Sequence, residues 1–145
     1  ALNDLKALGK DVSSLPLLSP APTTIAVTSF AYYQAGHLNP VGYLGYLYFL
    51  EFLPTTAGGV FTNALRRVGV PDTAMSFLEE HTTVDVHHNR LMEGYVDALV
   101  RTEDDVQSVA YAMRVTGDLY ARMLGQAFLA PAPEDHWGAA CEEAA

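Results

Sequence analysis

Between Asn39-Pro40 and Pro54 the chain carries a single charge, Glu51, in a run from Val41 to Leu53 that is otherwise uncharged and rich in aliphatic and aromatic residues. Asn in the capping position and Pro at the first helical position predict that a helix starts there. A helix that is apolar all round needs neighbours on every side, so it belongs at the centre of a helical bundle. Gly42 and Gly45 give those neighbours room for close approach.

The rest of the chain supplies such neighbours. Ile25, Val27, Phe30, Tyr32 and Tyr33 predict a helix over Thr24 to Gly36, although the β-branched start also admits a strand. Beyond Pro54, Thr55 to Val68 reads as a separate helix interrupted at Gly58 and Gly59 and closed by Gly69. Pro71 and Asp72 open another, with a bend expected near Thr82 and Thr83, running to about Val100. The last helix follows a Thr102 cap with Asp105 at the third helical position, and Val106, Val109, Ala110, Met113, Gly117, Tyr120 and Leu124 recur at steps of three and four. No strand alternation is strong enough to build a sheet, so the expected class is all-α. Residues 1–128 are expected to form one domain and 129–145 a disordered acidic tail. The opening ALNDLKALGK reads as the last turns of a helix ended by Gly9, with sequence expected upstream of it.

Composition narrows the partners. Eight Lys and Arg against 17 Asp and Glu, with the basic residues scattered, leave no basic footprint for a nucleic-acid backbone. No run reaches the roughly 20 apolar residues of a membrane span. The single cysteine, Cys141, can form no internal disulfide, and no secretory leader is visible, so a reducing, cytoplasmic setting is expected.

The chemistry gathers in His81-Thr-Thr-Val-Asp85-Val-His87-His88. At about 100° per residue, His81, Asp85 and His88 fall within an arc of roughly 60° on one helical face, the face that continues through Met92, Tyr95 and Leu99. His87 points elsewhere. Burying two imidazoles and a carboxylate together costs several kcal/mol unless they are paired or bound to a cation. Glu51 poses the same problem on its own apolar helix. Two ordinary solutions stand beside a metal: Arg66 or Arg67 paired with Glu51, and a core histidine bonded to Asp85. If Glu51 meets the His81 helix, two carboxylates and two imidazoles form a donor set suited to iron or manganese. Tyr48, one turn before Glu51, and Tyr95, one turn beyond Met92 on the ligand face, would line a pocket or simply pack.

The segments GYLGYLYFLEFLPTT and FLEEHTTVDVHH together resemble the haem-oxygenase-like iron-containing redox enzymes, over about Thr23 to Gln126. In that family the second core helix gives a Glu and the third a His-x-x-x-Asp-x-x-His set, which Glu51, His81, Asp85 and His88 match one by one. The resemblance implies a haem-oxygenase-like bundle and a non-haem di-iron oxidase or oxygenase. Such an enzyme uses dioxygen to oxidise a small organic substrate. Family members typically add a further Glu and His from an earlier helix. Upstream of Thr23 the acidic residues are Asp4 and Asp11, and the first histidine is His37, so the bundle is expected to be incomplete at its N-terminus and to hold fewer than two tightly bound metals. Two other classes remain open: a metal-free enzyme of the thiaminase or quinone-cofactor synthase type, and a non-catalytic interaction fragment. A homodimer also remains open.

Overall fold

The computed structural model describes residues 1–13, 15 and 19–129 and contains no strand among them. Five helices follow in order: α1 (Leu2–Ala7), α2 (Pro22–His37), α3 (Tyr43–Arg67), α4 (Ser76–Leu99) and α5 (Glu103–Leu129). Short 3-10 turns over Pro40–Gly42 and Asp72–Ala74 lead into α3 and α4. The expected tail falls outside the described residues, apart from Leu129, which closes α5.

α3 is the organising element. It packs against α4 along one side and α5 along another, while α2 packs mainly on α5 and α1 on the Asp72–Ala74 turn. The Asn39 side chain accepts from the Val41 amide at 3.1 Å, so the start signal operates as expected, but it caps a 3-10 turn and α3 begins only at Tyr43. The predicted break at Pro54 does not occur: α3 runs unbroken for 25 residues with Pro54 inside it. An internal proline costs about 3 kcal/mol through one lost hydrogen bond and a clash, and helices packed on two sides of α3 offset that. The Thr55 and Thr56 hydroxyls fold back onto the Phe52 carbonyl at 2.9 and 3.0 Å on the turn beside it. Gly58 is no interruption either. It is where Thr82 of α4 crosses, since a Cβ there would meet Thr82 Cγ2 at 2.5 Å. α4 is likewise continuous through Thr82 and Thr83.

Full enclosure of α3 is the other expectation that fails. Val27, Ala31, Leu44, Ala74, Met75, Met92 and Ala112 form the buried apolar core, but Phe52 and Val60 stay open to solvent. With α4 and α5 as its main partners, part of the α3 surface is uncovered among the described residues.

At the other end of the bundle, Asp105 ties three segments together. Its carboxylate accepts from Asn39 Nδ2 at 2.8 Å and from the Arg101 and Thr102 amides at 3.0 and 2.9 Å, while its own amide donates to Thr102 Oγ1 at 3.1 Å. This is the reciprocal cap predicted from Thr102 and Asp105. The Asn39 bond and the two amide bonds hold the carboxyl down from 3.8 to about 2. A depressed acid stabilises the fold above its unfolded value and loses that contribution as pH falls through the folded value. Asp105→Asn is therefore expected to flatten the pH dependence of unfolding between 3.8 and about 2, as read from urea midpoints.

Candidate metal centre

α3 and α4 lie side by side, so the residue one turn after Tyr48 on α3 meets the middle of α4. There Glu51, Asp85 and His88 converge: one donor atom from each lies within 4.8 Å of the others. His88 Nδ1 donates to Glu51 Oε2 at 2.8 Å and stands 3.2 Å from Asp85 Oδ1. Close by, Asn89 Nδ2 donates to Thr55 Oγ1 at 3.1 Å, a second polar tie between the two helices.

The three side chains differ in exposure. That of Asp85 is 2% exposed, while those of Glu51 and His88 are 30% and 42% exposed. The helical-face reading is thus correct for Asp85. Glu51, expected to be buried, is half-buried, because the uncovered part of α3 leaves one flank of the site open. Neither arginine neutralises it by an ion pair: Arg66 turns to Asp72 at 2.7 Å and to Glu79, and the Glu51 ion pair among the described residues is with His88.

Charge is frustrated here. Burial pushes the Asp85 carboxyl up, and the neighbouring Glu51 charge pushes it further. The hydrogen bond to Glu51 raises His88, with the Asp85 charge adding to it. Asp85 Oδ1 is buried with no hydrogen-bond partner of adequate geometry, although His88 is near. An orphaned buried carboxylate oxygen, a second carboxylate and an imidazole form a donor set that a divalent cation completes: two negative charges meet two positive, and the orphaned oxygen gains a partner. The residues fit a metal on their own chemistry.

His81 stands apart from this cluster. It lies one turn before Asp85, and its charge acts to lower the Asp85 carboxyl. Its Nδ1 is occupied, donating to the Phe77 carbonyl at 2.7 Å, and its ring lies against that of Phe77 with centroids 4.1 Å apart. Of the four predicted donors, three come together and the fourth is held on the adjoining turn. Phe77 escaped the sequence reading, although its place four residues before His81 is where a backbone acceptor for Nδ1 should stand. His87 is exposed and outside the group, as helical geometry requires. His87→Ala is expected to leave metal uptake within about twofold of the unaltered chain, measured by ferrous-ion titration.

The tyrosines divide. Tyr95 is 51% exposed. Tyr48 is half-buried and, with Glu93, Val96, Asp97, Val109 and Met113, lines a cleft of about 260 Å³ between α3, α4 and α5. No helix of the described residues is long and apolar enough to cross a membrane.

Comparison with known proteins identifies a family. No curated protein and no solved structure matches the chain. The family model described as iron-containing redox enzyme matches residues 1–121, which includes all four candidate donors and begins ahead of the Thr23 boundary set by the motifs. The chain belongs to the iron-containing redox enzyme family.

Proposed function

We propose that the chain is a non-haem iron oxidase or oxygenase that couples reduction of dioxygen to oxidation of a small organic substrate. The observation that carries this reading is the meeting of Glu51, Asp85 and His88 around a buried carboxylate oxygen that has no well-aligned hydrogen bond. Glu51 and Asp85 would hold the ion through oxygen and His88 through nitrogen, with His81 as the neighbouring fourth donor. Iron, when bound, supplies the redox chemistry that no side chain of the site can perform.

The protein's own residues have narrower tasks. Asp85 provides a charged donor in a dry position. Glu51 and His88 close the site from two different helices, so ion binding also fastens α3 to α4. Their half-exposed flank leaves a route by which dioxygen and substrate reach the centre. Four donors suffice for one iron. The di-iron centre usual in the family calls for additional carboxylate and imidazole donors, so stoichiometry is the informative quantity.

Anaerobic loading with ferrous iron, followed by metal analysis and oxygen-electrode measurement, tests the proposal. Tight iron and oxygen uptake that accelerates with a reducing organic substrate are the expected results. A chain that excludes ferrous and manganous ions would overturn it and favour the metal-free reading, in which His and Asp of the same inner face act as acid and base.

A further inference from the structure

The start of α4, the helix that carries three of the four donors, is fastened by a residue from far away in the sequence. α4 has no side-chain cap of its own, its preceding residue being Met75. Asp4 of α1, 8% exposed, takes that place: its Oδ2 accepts from the Phe77 amide at 2.8 Å and its Oδ1 from the Ser76 hydroxyl. The Phe77 amide is thus held from outside, and the residue's own carbonyl and ring in turn engage His81. A carbonyl oxygen can only accept, so the 2.7 Å contact requires the proton on His81 Nδ1 and, in the neutral ring, leaves the lone pair on Nε2.

We infer that Asp4 and Phe77 are positioning residues for the metal centre, holding His81 in the Nδ1–H form with Nε2 free to serve as the fourth donor. This rests on the iron-binding reading for its purpose but not for its geometry. Metal-bound histidines commonly donate the other ring N–H to a carbonyl or carboxylate, which fixes tautomer and ring orientation, and loss of such a partner costs roughly 10–100-fold in metal affinity. What is unusual is that the support passes through one residue, Phe77, to a carboxylate on α1. The short first helix therefore has a use beyond packing.

Long-range ¹H–¹⁵N spectra of the metal-free chain at alkaline pH, combined with cobaltous-ion titration, test this. His81 is expected as the Nδ1–H tautomer, opposite to the Nε2–H form that free histidine prefers. Asp4→Ala should move His81 towards Nε2–H and weaken cobalt binding by about tenfold, leaving His37 and His87 signals in place. Asp4→Asn keeps an acceptor for the Phe77 amide and should restore both. If Asp4→Ala fails to fold, Phe77→Leu, which retains backbone and cap but removes the ring, carries the test by a severalfold loss of cobalt affinity. An Nε2–H His81 in the unaltered chain, or variants indistinguishable from it, overturns the inference. Absence of any cobalt binding by the unaltered chain would instead count against the proposed function, while the tautomer still decides the inference.

Discussion

Asp85→Ala is expected to abolish stoichiometric ferrous-iron binding, lowering affinity by at least ~100-fold, more than the loss of a residue that only supports a ligand. Asp85 offers the one dry donor: its side chain is 2% exposed and its Oδ1 has no well-aligned hydrogen bond, His88 Nδ1 standing 3.2 Å away. Without it, Glu51 and His88 remain on a half-exposed rim where water competes for the ion. Asp85→Asn separates charge from shape. It preserves the packing but removes the negative charge, so an affinity near that of the alanine variant is expected if charge governs binding. Both variants should stay folded, since burial and the Glu51 charge already work against ionised Asp85 in the metal-free chain. Isothermal titration with ferrous ion under nitrogen reads the affinity, and circular dichroism reads the fold.

The second large effect concerns the frame. A Cβ at Gly45 would overlap the Val109 carbonyl oxygen and stand 3.0 Å from the Met113 amide nitrogen, both backbone atoms of α5. Backbone in a helix cannot step aside as a side-chain end can. Gly45→Ala should therefore cost about 3 kcal/mol in overpacking, against about 1 kcal/mol gained in helix propensity. The net loss, about 2 kcal/mol, corresponds to a fall of roughly 5–10 °C in melting temperature. Gly59→Ala is the control. Nothing lies within 4 Å of a Cβ there, so only the propensity gain remains and the melting temperature should rise slightly. A calorimetric scan of the two variants beside the unaltered chain checks both signs.

The sequence was informative where a local rule governed the outcome. Helical periodicity placed Asp85 and His88 on one face and His87 off it, and the Thr102–Asp105 cap and Asn39 start signal formed as their chemistry dictates. It misled where tertiary packing overrode local preference. Pro54 and Gly58 read as breaks, yet α4 and α5 packed against α3 keep that helix whole, and the small Gly58 serves as the crossing point for Thr82. Exposure was misjudged because an apolar helix does not reveal how many of its sides find partners. Glu51 is half-buried for that reason.

His81 marks a further limit. Angular position on a wheel put it with Asp85 and His88, but which ring nitrogen is left to bind an ion depends on what engages the second nitrogen. That nitrogen is engaged by the Phe77 carbonyl one turn back. The Asp4 cap on Phe77 links residues 73 apart in sequence and leaves no local pattern to read.

The most direct test is crystallography of ferrous-loaded protein grown without oxygen, with anomalous differences collected on either side of the iron edge. A peak at bonding distance from carboxylate oxygens of Glu51 and Asp85 and from a ring nitrogen of His88 is the expected result. Iron located away from these three side chains, or no anomalous peak in crystals soaked to saturation, would contradict the assignment of this cluster as the metal centre.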